Sequence, residues 1–177
     1  MKKTLLSLAA VVLAGGLMAQ SNQLSLGIDA GIPLGDDGDL YSLSIGPAAG
    51  FEFPVGDKVG LTAQLAYQFA LMKSEFEGFS LTLLPIQAGV KYYFTENQLG
   101  PYAHGQIGVH SATAKVEFFG ISATDTQTDL SWAIGGGYQL EKLDIGLRYN
   151  MISNGGDGVD NTSYIGLRLG YLLSIGG

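Results

Sequence analysis

Apolar and polar residues alternate along most of this chain with a period of two. In LDIGLRYNM (143–151) the apolar set is Leu143, Ile145, Leu147, Tyr149 and Met151. Asp144, Gly146, Arg148 and Asn150 fall between them. Successive side chains of a strand point to opposite faces, so the segment predicts a strand with one apolar and one polar face.

Seven more segments carry the same signature. QLSLGIDAGIPL (23–34) sets Leu24, Leu26, Ile28, Ala30 and Ile32 against Ser25, Gly27, Asp29 and Gly31. LYSLSIGPAAGFEF (40–53) sets Tyr41, Leu43, Ile45, Ala49, Phe51 and Phe53 against Ser42, Ser44, Gly46, Gly50 and Glu52. VGLTAQLAYQFAL (59–71) follows. FSLTLLPIQAGVKYYF (79–94) alternates cleanly from Ile86, with a phase slip upstream of Pro85 that predicts a bulge or edge irregularity. PYAHGQIGVHSATA (101–114) puts His104, Gln106 and His110 on its polar face. DLSWAIGGGYQLEK (129–142) and SYIGLRLGYLL (163–173) complete the set, the latter with Arg168 on its polar face.

Eight strands of this length, with no helical pattern outside the N-terminus, predict an all-β fold. The specific expectation is an eight-stranded antiparallel up-and-down transmembrane β-barrel with a filled polar interior. A tilted strand of about 9–11 residues crosses a bilayer. Connections after odd strands are mostly longer than those after even strands, as in barrels with short periplasmic turns and long extracellular loops. Aromatics fall toward strand ends: Tyr41, Tyr67, Phe69, Trp132 and Tyr149 at one end, Phe51, Phe53, Tyr92, Phe94, Tyr138 and Tyr171 at the other. They predict two interfacial girdles. A soluble sandwich or lipocalin-like barrel would place the apolar face inside instead. Its outer face would be rich in Lys and Glu, whereas the polar face here is rich in Gly and small residues.

Composition narrows the function. The chain has 177 residues and net charge −7, which excludes the basic footprint that nucleic acid requires. It has no cysteine, hence no disulfide framework, thiolate nucleophile or lipoprotein-type anchor. MKKTLLSLAAVVLAGGLMAQ reads as a secretory signal peptide over residues 1–19, with the barrel domain over 20–177. Cleavage removes Lys2 and Lys3 and takes the mature charge from −7 to −9.

The polar face then has to be self-sufficient, because eight strands leave an interior just wide enough for side chains to fill. The inward charges are Asp29, Glu52 and Asp144 against Lys91, Arg148 and Arg168, three of each sign. Breaking a buried ion pair costs about 3–5 kcal/mol, so balance is required. Asp29 and Arg168 sit at mid-height on the strands that meet where the barrel closes, and they are expected to pair. Asp144 and Arg148 stand about 13 Å apart along one strand and need other partners. Lys91 lies near the level of Glu52 and Asp144. Gly135 and Gly137 are expected to leave room for Arg148.

GIPLGDDGDLYSLSIGPAAGFEF, LPIQAGVKYYF, GPYAHGQIGVH and YIGLRLGYLL together resemble the small outer-membrane β-barrel domain proteins of Gram-negative bacteria. These are eight-stranded relatives in shape of the OmpX and OmpA membrane domains. The resemblance implies residence in the cell outer membrane. Its partners would be outer-membrane lipid and lipopolysaccharide, the barrel-assembly machinery, and an extracellular ligand or surface partner. It implies no cofactor. Such barrels usually end in an aromatic residue; here Tyr171 is followed by LLSIGG, so the assembly signal is expected to be internal or weakened.

Three motifs bear on chemistry. RYNMISNGG (148–156) resembles the catalytic segment of lipid A 3-O-deacylases in Ser153, Asn154 and Gly155, but Met151 occupies the His position. A serine needs a base to become nucleophilic, and Met cannot take its proton. His104 and His110 share a face about 20 Å apart and are poor joint metal ligands. GDDGD and GGDGVD lack EF-hand spacing. The connection KVEFFGISATDTQTD offers Phe118, Phe119 and Ile121 as a candidate surface-binding loop, or else extends two strands as a hairpin above the membrane, which is the favoured reading. No catalytic, cofactor or metal site is expected. The expected role is non-enzymatic, in envelope integrity or in surface interaction and adhesion. The alternatives are a narrow pore for small solutes or ions and a lipid A-modifying enzyme.

Overall fold

The computed structural model describes residues 22–76, 78–118, 121–153 and 161–175. Eight antiparallel strands form one sheet closed on itself. β1 is Asn22–Leu34 and β2 is Tyr41–Pro54. β3 runs in two segments, Val59–Ala66 and Gln68–Met72. β4 is Phe79–Tyr93, β5 Gly100–Phe118 and β6 Ile121–Gln139. β7 is Leu143–Ser153 and β8 Thr162–Ile175. Each strand pairs with its sequence neighbours, and β1 pairs with both β2 and β8, which closes the barrel. Within the closed wall no edge is left for another chain to pair with; above it, Ile121 to Asp129 of β6 pair with β5 alone among the described residues. A four-residue helix, α1 (Asp37–Leu40), lies between β1 and β2. Among the described residues no helix is long and apolar enough to cross a membrane.

The wall is inverted relative to a soluble protein. Asp29 and Lys91 are 2% and 3% exposed, whereas Ile107 and Leu130 are 67% and 66% exposed. Leu26, Ile28, Ile134, Leu147 and Leu167 join them on an apolar outer belt. A soluble monomer rarely shows an apolar patch above a few hundred Å². This belt runs round the barrel, as lipid requires.

Two prolines account for the break in β3. The register of β3 against β4 is the same below the break (Leu65↔Ile86) and above it (Gln68↔Leu83). Carried through, it sets Pro85 beside Ala66, and Tyr67 donates its N–H to the Pro47 carbonyl of β2 at 2.9 Å. Proline cannot donate back, so ladder bonds are missing on both sides of Tyr67.

Two expectations are corrected and a third holds. No bulge occurs at Pro85: β4 keeps one register with β5 from Phe79↔Val116 to Tyr93↔Tyr102. The apparent phase slip arises because Leu83 and Pro85 face inward and are buried, so the upper lumen is partly apolar. Tyr41 belongs to no girdle. A register shift between Tyr41 and Leu43 turns it inward, where it is 4% exposed. The favoured hairpin reading of residues 115–128 holds over the described residues. β5 and β6 are 19 residues each and stay paired up to Phe118↔Ile121, as the hairpin reading anticipated. Thr113 with Thr126 (3.0 Å) and Ser111 with Thr128 (2.8 Å) bridge the two strands.

Three pairs in the aromatic belts are in ring contact. Tyr67 and Phe69 meet edge-on at 5.1 Å, and Trp132 and Tyr149 lie 6.1 Å apart, toward the end with the longer connections, called the upper end below. Tyr92 and Phe94 meet at 5.7 Å toward the lower end.

Candidate functional site

The lower lumen is filled by a cluster centred on Lys91. Its ammonium lies 3.0 Å from Glu52 and 2.8 Å from Asp144, and donates to Gln139 Oε1 at 3.1 Å. These groups come from β4, β2, β7 and β6, so the cluster ties opposite walls together. Tyr93 places its hydroxyl 2.6 Å from Glu52 and 2.8 Å from Gln139, and Tyr102 donates to Asp144 at 2.7 Å. The ammonium also sits 4.3 Å from the Tyr102 ring centroid, within cation–π range.

Gln98 caps the cluster from below. Its amide donates to the carbonyls of Gly56 (3.1 Å) and Val59 (3.0 Å), and its own carbonyl accepts from Gln139 at 3.1 Å. Gln98 and Asn97 hold positive φ, of 54° and 64°, a region non-glycine residues rarely occupy.

At mid-height the cluster is cationic. Arg148 bonds Asp29 at 2.5 Å and Gln64 at 2.9 Å. The expected Asp29–Arg168 ion pair is not formed, although Asp29 stands directly opposite Arg168 in the β1–β8 ladder. Arg168 instead donates to Ser25 at 3.1 Å and lies against Gly50 of β2, where a Cβ would come within 2.7 Å of its guanidinium. The reason is length. A guanidinium overshoots a residue directly across the ladder, while Arg148, one strand further round, reaches Asp29 by crossing β8 at Gly166. A Cβ at Gly166 would lie 3.0 Å from Arg148 Cγ and Nε. Gly135 stands opposite Arg148 as expected, but the space at Gly137 goes to Tyr102, whose hydroxyl would lie 2.4 Å from a Cβ there.

The two layers carry opposite excess charge. The lower one has Glu52 and Asp144 against Lys91; the middle one has Asp29 against Arg148 and Arg168. Together they are neutral, which low-dielectric burial favours.

Reading the sequence missed Tyr93, Tyr102, Gln139 and Gln98 as members of the lower cluster. For the tyrosines the signal was present: Tyr93 shares the parity of Lys91, and Tyr102 that of His104. Neither tyrosine is given a face in the reading of the sequence. Gln98 sits in a turn, where parity says nothing.

The remaining candidates do not assemble. Phe119 lies outside the described residues, and Phe118 and Ile121 are placed by backbone pairing alone, at the tip of the hairpin. Ser153 is exposed at the end of β7 in the outward phase of Met151, while His104 and His110 are buried inside. The barrel wall separates serine from imidazole. Asn154 and Gly155 lie outside the described residues, as does the signal segment 1–19. No group of three metal-ligating side chains occurs among the described residues.

Comparison with known proteins agrees with this geometry. Residues 6–172 match the model of the outer membrane protein beta-barrel domain family. Ail, the attachment invasion locus protein of Yersinia pestis, has a similar structure at 16% identity and TM-score 0.63, covering 88% of this chain and 100% of Ail. The N-terminal β-barrel domain of Pseudomonas aeruginosa OprF is similar at 14% identity and TM-score 0.60, covering 86% and 98%. Neisserial surface protein A is similar at 17% identity and TM-score 0.60, covering 88% and 98%. At these identities the likeness is one of fold. No curated protein sequence matches the chain. An apolar belt outside, a neutral ionic core inside and a family match over nearly the whole length lead to one conclusion: the chain belongs to the outer-membrane β-barrel domain family and is an integral protein of the outer membrane.

Proposed function

We propose that this protein is a plugged, non-enzymatic barrel that works through its extracellular face, in surface interaction or in envelope integrity. The observation that carries this reading is where the charge sits. In outer-membrane barrels the short turns are periplasmic and the longer connections extracellular. Residues 35–40, 73–78, 111–129 and 154–161 hold ten carboxylates and two lysines, Lys73 and Lys115. The lumen is neutral, and the periplasmic turns carry Asp57, Glu96 and Glu141 against Lys58 and Lys142. Nearly the whole mature charge of −9 (−7 less Lys2 and Lys3) is therefore extracellular.

Such a field selects partners by sign and speeds their encounter. Ail has been crystallised with the heparin analogue sucrose octasulfate, a polyanion. The face of the present chain repels polyanions and suits a basic partner. The Lys91 cluster closes the lumen, which supports a scaffold rather than a pore. Lipid and lipopolysaccharide contact the belt, and the assembly machinery inserts it; the signal segment 1–19 is part of this reading.

Binding to immobilised ligands tests it, with the barrel in lipid nanodiscs. A lysine-rich peptide is expected to bind at physiological salt and to be released as salt rises. Heparin is expected not to bind. Heparin binding with no response to the peptide would overturn the assignment.

A further inference from the structure

Above the Arg148 layer the lumen opens into a cavity of about 310 Å³ at the extracellular end. That is near the lower limit for small-molecule sites and roughly twice a cavity that holds one benzene, about 150 Å³. Its walls are apolar: Tyr41, Leu81, Leu83 and Ile152, with Phe79 toward the mouth. Ala112 and Ala114 contribute little volume and leave the space open.

The polar lining is unusual. His110 and Tyr164 are both 2% exposed and meet edge-on at 5.7 Å. Neither ring nitrogen of His110 has a hydrogen-bond partner in the protein, and the Tyr164 hydroxyl lies beside Arg148 without a well-aligned bond to it. His104, Gln106 and Asn150 elsewhere in the lumen also lack partners, but His110 and Tyr164 alone among these line an open cavity, where their polar atoms can meet a ligand. Asp129 stands opposite His110 in the β5–β6 ladder and also lines the cavity, as does Asp37 of α1. The cation beneath, Arg148, is already engaged by Asp29 and Gln64.

We propose that this cavity binds a small primary amine with an aromatic body. An ammonium has three N–H donors and no acceptor. The Asp129 carboxylate, an imidazole nitrogen of His110 and the Tyr164 hydroxyl supply three acceptors. The aromatic body fills the space between Tyr41, Leu83 and Ile152. Asp37 and Asp129 repel a carboxylate in the same place. This site is separate from the engagement of a macromolecular partner, and either reading stands if the other fails.

Phenethylamine is the probe, with 2-phenylethanol and 3-phenylpropionate as neutral and anionic analogues. Each is titrated into isotopically labelled full-length barrel in nanodiscs, with empty nanodiscs correcting for partition. Amide shifts at Leu83, Ala112 and Ile152 report binding. The amine is expected to bind at least tenfold more tightly than the alcohol, and the anion not to shift these amides. Asp129→Asn is expected to weaken the amine at least tenfold. Ala112→Phe, which fills the cavity, is expected to abolish binding; both variants are checked for folding by heat-modifiable gel mobility. Equal binding of amine and alcohol, binding of the anion, no shift with the amine, or full amine affinity in Asp129→Asn would each overturn the proposal.

Discussion

Asp29 faces Arg168 across the β1–β8 ladder, yet its carboxylate is held by Arg148 of β7, at 2.5 Å. The pairing skips one strand because Gly166 leaves a gap through which the longer reach is unobstructed. This identifies the partner whose removal should matter, and a double-mutant cycle can separate the two arginines.

Asp29→Ala should destabilise the barrel by about 3–5 kcal/mol, since it strands a buried guanidinium. Adding Arg148→Met should recover a large part of that loss; adding Arg168→Met should recover little. Urea unfolding in lipid vesicles measures all three. Recovery through Arg168 instead would mean that the ladder neighbour is the true partner.

The Lys91 cluster should behave as a unit. Lys91→Met leaves Glu52 and Asp144 as adjacent buried carboxylates and should cost about 3–5 kcal/mol. The triple variant Lys91→Met with Glu52→Gln and Asp144→Asn should be markedly more stable than Lys91→Met alone. In planar bilayers the unaltered protein should show no steady conductance. Steady channels of uniform size would favour the pore.

Gly137 is where Tyr102 enters. A methyl group there would meet the tyrosine hydroxyl at 2.4 Å and the Ile145 carbonyl at 2.3 Å. Gly137→Ala should cost about 1–3 kcal/mol through overpacking. In a Tyr102→Ala background, which removes the ring as well as the hydroxyl, the penalty should shrink only partly, because the Ile145 carbonyl stays. The test is the difference between the two unfolding midpoints; equal penalties would show that Tyr102 does not occupy this space.

The direction of the wall can be read from charge tolerance. Leu167 is half exposed on the outer face. Leu167→Arg should lose about 2–4 kcal/mol, the cost of a cation facing the bilayer midplane. A cysteine at Thr124 should react with a membrane-impermeant maleimide on whole cells, and one at Val55 only after the outer membrane is permeabilised. The reverse labelling pattern would invert the orientation and with it the acidic extracellular face.

Much of this architecture was legible from the chain alone because a strand's side chains alternate strictly. Asp29, Lys91, Asp144, Arg148 and Arg168 share the phase of small residues and were assigned to the interior on that ground; the structure buries each of them. The approach fails where phase and chemistry disagree. Tyr93 and Tyr102 are inward by phase but aromatic by type. Tyr41 changes face through a register shift that no local pattern announces. Leu83 and Pro85 looked like a slip because an apolar residue facing a lumen violates the simple rule, yet the upper lumen holds them.

The periodicity of the sequence therefore determined the strand count, the inversion of the wall and the membership of the polar interior, since these depend on one residue's relation to its neighbours along the chain. Tertiary structure alone decided which charges touch, how Gln98 caps the lower cluster and where a cavity remains above it. Those outcomes depend on barrel stagger, side-chain reach and the gaps that glycines open between strands distant in sequence, and a period of two contains none of that information.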